Sequence, residues 1–175
     1  MKNAAIYFSL FLLFSLANNI FAYDLDYNEF KENSEPQGFN DLKWGQDIAS
    51  IDDMILLGHH MHPENKVYKR KNEKLKIGGA RIKSIAYYFW KGEFYLVVIY
   101  LEKGINNFNL LKEEYCNKFG NCKQLKLPKE YNIDEELIVY GWEGSIARVI
   151  VKYSKPLDIG GCDMWFIEID KDAPH

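Results

Sequence analysis

After its first 22 residues this sequence has no apolar run long enough to cross a membrane, since a spanning helix needs about 20 consecutive apolar residues. It also lacks an excess of basic charge. Lys2 is the only ionised side chain before residue 23, so the remainder carries 21 basic and 25 acidic side chains, or −4 with His neutral. That balance argues against nucleic acid as a main partner. Catalytic signatures are missing as well: there is no nucleophile elbow, P-loop, dinucleotide fingerprint, zinc-protease motif or EF-hand loop. Histidine is confined to His59, His60 and His62 in one short segment and to the terminal His175. A Ser-His-Asp or Cys-His site would need that segment to fold over Ser145 or a cysteine. The acid pairs Asp52-Asp53, Glu113-Glu114 and Glu135-Glu136 are adjacent, and neighbouring side chains on a regular element diverge. Facing glycosidase acids come from separate elements and leave no spacing signature. These absences favour a non-enzymatic protein and imply no cofactor.

Cysteine is sparse, with only Cys116, Cys122 and Cys162. The N-terminus reads as a secretion signal. Lys2 supplies a positive start, Ala4 to Leu16 is uncharged and mostly apolar, and Ile20-Phe21-Ala22 ends on a small residue. Residues 1–22 are therefore expected to be removed, leaving a chain of about one domain's length. No cysteine follows the apolar run, which disfavours a lipid anchor. An oxidising compartment permits disulfides. Cys116 and Cys122 flank an expected helix end in CNKFGNC, where Gly120 allows the chain to turn back, so these two are the expected bridge. Cys162 is then free and buried, or pairs between chains. Five residues between Cys116 and Cys122 fit no common zinc spacing.

The densest run of β-branched and aromatic residues is Ile82 to Leu101, hinged on Lys91-Gly92. It reads as an antiparallel hairpin at the centre of a sheet. Strict alternation would put Ile85, Tyr87 and Phe89 on one face with Phe94, Leu96 and Val98. Neither face is polar, so both need cover. A helix could take one, and an aromatic set including Tyr88, Trp90 and Tyr95 could meet loops, a second layer or a partner.

Around this hairpin, residues 23–37 are polar and acidic and read as a flexible leader. Phe39, Leu42 and Trp44 are apolar anchors about a tight turn, and Asp47 to Leu57 shows helical spacing of Ile48, Ile51 and Ile55. His59, His60 and His62 fall in a loop-like segment. Solvated loop is the plainer reading, and a weak copper or zinc site with Met61 as a soft ligand is the sharper one. Val67 to Lys76 reads as a polar edge strand whose lysines discourage association. Alternatively Lys69, Arg70 and Lys71 form a patch for an anionic partner. Asn107 is the expected N-cap of a helix through Phe119, with Phe108, Leu111, Tyr115 and Phe119 as one stripe. Leu125 to Asp134 is a connector. A second hairpin, Leu137 to Tyr153, and a last strand, Met164 to Ile169 with Glu168 at an edge, complete the chain. The expected fold is α+β over residues 38–175: a mostly antiparallel sheet of five or six strands with one main helix packed on a face.

The segments GFNDLKWGQDIASIDDM and VYKRKNEKLKIGGARIKSIAYYFWKGEFYLVVIYLEK, followed by a helix ending NKFG, resemble a group of small exported bacterial proteins. In that group an F-x-x-x-x-W-G start precedes a charged segment, a Tyr/Phe-rich hairpin and a helix. The resemblance covers Gly38 to Gly120. It implies envelope export and the α+β order, and no activity. The histidine segment and the Cys116/Cys122 pair depart from that pattern and take nothing from it. Together these readings lead to an exported binding module for a protein or envelope component, an inhibitor being one form. The alternatives are a cell-wall or glycan-acting enzyme with dispersed carboxylates, and a metal-binding protein using the histidine segment.

Overall fold

The computed structural model describes residues 25–128 and 136–174. The expected signal, Met1 to Ala22, and the end of the expected connector lie outside the described residues. Among the described residues, ten strands and two helices follow in order: β1 (Gly38–Phe39), β2 (Leu42–Lys43), β3 (Met54–His60), β4 (His62–Arg70), β5 (Lys76–Ile77), β6 (Ala80–Trp90), β7 (Glu93–Leu101), α1 (Ile105–Phe119), β8 (Leu137–Glu143), β9 (Ala147–Ser154), β10 (Ile159–Phe166) and the one-turn α2 (Ile167–Asp170). The fold is α+β, with a mostly antiparallel sheet and one main helix. The sheet has eight strands rather than five or six, ordered β3-β4-β6-β7-β10-β9-β8, with β5 paired to β6 off this path.

The two extra strands are β3 and β5. The run Met54–His60 is a strand, and only Ile48–Ser50 before it turns helically, as a short 3-10 segment N-capped by the Asp47 side chain on Ala49 N at 2.8 Å. Isoleucines spaced at three and four fit either structure over so short a run, and pairing with β4 decides for the strand. β3 is therefore the sheet edge, and β4, expected at an edge, is internal. The histidines are likewise not in a loop: His59 and His60 end β3, His62 starts β4, and Met61 makes the reversal with φ 58°.

The central hairpin forms as expected, with Lys91 (φ 52°) and Gly92 (φ 93°) both left-handed in a two-residue turn. Its register does not follow strict alternation. Phe89 pairs with Phe94 but Tyr88 pairs with Leu96, so Tyr95 is an extra residue in β7. Such a bulge exchanges the two faces beyond it. Phe94 stays with Ile85, Tyr87 and Phe89, while Leu96 and Val98 move to the opposite face and Val97, Ile99 and Leu101 take their place.

Helix α1 covers this first face. Phe108, Leu111, Tyr115 and Phe119 are all buried there, packed over β6, β9 and β10. Phe108 stacks on Tyr153 with ring centroids 5.2 Å apart, and Phe119 meets Trp142 at 5.5 Å. Gly104, not Asn107, is the N-cap, and it has no side chain to offer. Asn107 is buried instead and ties helix to sheet. Its Oδ1 accepts from Arg81 N at 2.8 Å, and its Nδ2 donates to Arg81 O at 2.8 Å and Glu102 O at 2.9 Å. Cys116 in the last turn of α1 and Cys122 beyond the helix end stand at disulfide distance, with Cα atoms 5.3 Å apart, and Cys162 is buried and free.

The F-x-x-x-x-W-G segment plugs the same face. Phe39 and Leu42 are buried across the β1–β2 turn, and Trp44 lies 4.9 Å from Phe94 while its Nε1 donates to Pro36 O at 2.9 Å. Residues 25–37, expected as a leader, carry tertiary contacts. Asn28 Nδ2 donates to Gly141 O at 2.8 Å and to Lys123 O at 2.9 Å, and Glu35 Oε1 accepts from Ile146 N at 2.6 Å and Ala147 N at 2.9 Å. β10, last in the chain, sits between β7 and β9. It ends at Phe166, so Glu168 belongs to the turn of α2 rather than to a strand.

Candidate functional site

The second sheet face gathers Ala86, Tyr88 and Trp90 from β6, Leu96 and Val98 from β7, Trp165 from β10, Ile150 from β9 and Val139 from β8. Leu25, Leu125 and Ala173 pack against parts of it. Two charged residues are buried in this apolar face. Lys152 of β9 and Asp163 of β10 form an ion pair, with side chains only 5% and 1% exposed. Asp163 Oδ1 has no hydrogen-bond partner among the described residues. Burial pushes the Asp163 carboxyl up, against the pull of Lys152 in the other direction. Nearby, burial raises the Tyr88 and Tyr100 hydroxyls, with the Asp163 charge adding to it. Between Tyr100 and Lys152 in the ladder lies Gly161, where a Cβ would stand 2.4 Å from Ile99 O.

At the β3 end of this face the sheet splits. β4 and β6 pair from Asn65↔Trp90 to Tyr68↔Tyr87. Beyond that point β4 continues only beside β3, and β6 only beside β7 and the short β5. The gap is a groove of about 560 Å³, lined among others by Leu57, Val67, Leu75, Ala86, Tyr88 and Tyr100, with Lys69, Lys71, Lys83, His59 and His60 around it. On the helix side the split is closed by polar contacts. Tyr87 donates to Glu73 at 2.5 Å, Asn40 Nδ2 donates to Glu73 at 3.2 Å, and Arg70 bridges Asp41 and Asp53, the latter at 2.7 Å.

The structure thus brings together Tyr88, Lys69, Lys71, His59 and His60 from the sequence expectations. Arg70 borders the same groove but is committed to two carboxylates, so its role is to hold β4 against the β1–β2 turn and the segment before β3. Tyr95 is buried, with its hydroxyl 3.0 Å from Asn65 Nδ2, and is part of the core. Trp90 is also buried, with the His62 ring edge-on at 5.2 Å. The three imidazoles turn to different partners. His59 Nδ1 donates to Pro63 O at 2.7 Å, His60 meets the Tyr88 ring edge-on at 5.8 Å, and His62 Nδ1 accepts from Glu64 N at 3.2 Å. No group of three or more His, Cys, Asp or Glu among the described residues is placed to hold a metal ion. Sequence reasoning missed Tyr100, Lys83, Leu57 and the Lys152–Asp163 pair. The pair did leave a trace: one charge of each sign inside the otherwise apolar runs VIVKYS and GGCDMWF.

A second hollow, of about 720 Å³, is lined by Asp26, Glu29, Glu35 and Glu143 with Tyr27. Three of these acids are engaged. Asp26 pairs with Lys123 at 2.6 Å, which holds its carboxyl below the usual range; Glu143 pairs with Arg148, and Glu35 caps two backbone N–H groups. A general acid needs a raised carboxyl, and Asp26 moves the other way. Among the described residues no helix is long and apolar enough to cross a membrane. Compared with protein-family models, with curated proteins and with solved structures, the chain matches none.

Proposed function

We propose that this chain is exported and serves as a non-enzymatic binding module for a protein or envelope component, held in the groove between β4 and β6. One observation carries the reading: Lys69, Lys71 and Lys83, none of them in an ion pair among the described residues, surround an aromatic and aliphatic hollow. The chain as a whole is acidic, so this local excess of positive charge is a concentrated attraction for an anionic surface. Export is supported by the N-terminal pattern and by the Cys116/Cys122 pair, which suits an oxidising compartment. The enzyme reading has less support, because three acids of the acid-rich hollow are tied to cations or backbone.

The test uses residues 23–175 as immobilised bait in envelope extract, beside Lys69→Glu/Lys71→Glu. Both lysines are exposed, so the variant keeps the fold. A component retained by the natural chain and lost from the variant is expected. Equal retention by both refutes the assignment to this groove. Sequencing the N-terminus of the exported protein should return Tyr23, and Met1 would remove the case for export.

A further inference from the structure

We infer that the groove takes a single-chain anionic lipid, its acyl chain along Leu57, Val67, Leu75 and Ala86 and its phosphate among Lys69, Lys71 and Lys83. This rests on the binding-module reading above and names the ligand.

Shape comes first. The groove is bounded at one end by the β4–β6 pair Tyr68↔Tyr87, and at the other by the segment that carries the chain from β4 to β5, whose Leu75 O accepts from Ile82 N at 3.0 Å. Its underside is sealed by the Tyr87–Glu73–Asn40 contacts. A polypeptide crossing it would need an exit at both ends, whereas a chain that terminates fits a blind groove. About 560 Å³ lies within the usual range of roughly 300–1,000 Å³ for small-ligand sites.

Chemistry comes next. Leu57 and Leu75, 55% and 46% exposed, present aliphatic surface to the groove. Sugar hydroxyls laid against Leu57, Val67, Leu75 and Ala86 would lose water without gaining hydrogen bonds, which disfavours an acidic glycan. An acyl chain loses nothing there and gains burial. At the rim, Lys71 Nζ donates to Asp52 O at 3.3 Å, a backbone contact that leaves its charge uncompensated. The acid in the lining, Glu73, is engaged by Tyr87 and Asn40. Positive charge at the mouth over apolar walls matches an anionic head on a hydrocarbon tail. Tyr88 and Tyr100 add two tyrosines to the lining.

The experiment is calorimetric titration of residues 23–175, below the critical micelle concentration. The probes are lysophosphatidylglycerol, lysophosphatidylcholine with the same acyl chain, and glycerol 3-phosphate with none. The anionic lipid should bind at least tenfold tighter than the zwitterionic one, and glycerol 3-phosphate at least a hundredfold weaker than the anionic lipid. Lys69→Glu/Lys83→Glu should lose at least tenfold for the anionic lipid and stay within twofold for the zwitterionic one. Leu57→Asp, at a half-exposed position, should weaken both. Equal affinity for the two lipids, undiminished affinity for glycerol 3-phosphate, or displacement of lipid by an acidic oligosaccharide at lower concentration would each overturn the inference. If no lipid binds while Lys69→Glu/Lys71→Glu still releases an envelope component, the lipid assignment fails and the binding module stands. If neither responds, both fail.

Discussion

Lys152→Met is the sharpest probe of the second sheet face. It removes the cation from a pair whose members are 5% and 1% exposed and leaves the Asp163 carboxylate among Val98, Ile150 and Tyr100. Breaking a buried pair by deleting one partner costs about 3–5 kcal/mol, because the remaining charge has neither water nor counter-ion. Urea unfolding followed by circular dichroism reads this directly. With a denaturant slope of about 2 kcal/mol/M, inside the usual range of ~1–3, the midpoint should fall by about 1.5–2.5 M. The pH dependence carries a definite sign. Burial raises the folded Asp163 carboxyl above its unfolded value, so the folded state keeps the proton longer as pH rises. Stability from this group is therefore full below the unfolded value of about 3.9 and is lost as pH climbs through the folded one. Removing Lys152 widens that window, since the amine pulls the carboxyl down. The variant should accordingly regain about 1.4 kcal/mol per pH unit on acidification inside the window. Lys152→Met/Asp163→Leu should be close to neutral, or more stable by up to about 4 kcal/mol. A Lys152→Met cost below about 1 kcal/mol at pH 7, with no recovery in acid, would refute a desolvated pair.

Leu111→Ala, at a fully buried position under α1, should cost about 2–5 kcal/mol in the same assay, and a near-zero cost would place the helix elsewhere. Asn107→Ala removes two hydrogen bonds to Arg81 at the start of β6 and one to Glu102 just after β7, and takes from the Arg81 N–H its side-chain acceptor; it should cost about 1–3 kcal/mol. Peptide mapping of oxidised protein should join Cys116 to Cys122, and reduction should lose stability at the low end of about 2–4 kcal/mol because the closed loop is short. Cys162 is fully buried with its thiol pushed up by that burial, so it should react with thiol reagents only on unfolding; rapid labelling in the folded state would contradict its position.

Local pattern alone determined the strong elements. The Lys91-Gly92 turn, the Phe108-Leu111-Tyr115-Phe119 stripe and the approach of Cys116 to Cys122 follow from turn chemistry, helical period and a short loop, all of which act over a few residues. Tertiary structure decided what short-range rules leave degenerate. The extra residue at Tyr95 in β7 reverses its faces, and no alternation rule applied to one strand detects a bulge that exists only in the pairing of two. Met54–His60 has a composition that suits strand or helix, and the free hydrogen-bonding edge of β4 chose. The ion pair needed β10 to insert between β7 and β9, which places Asp163 of one strand against Lys152 of another. The groove required two strands to part after four paired residues. Its lysines were visible as a charged run, but the walls that give them something to hold come from β3, β6 and β7. Sequence neighbours share a local conformation, whereas a site is assembled from chain segments whose meeting depends on the packing of the whole sheet.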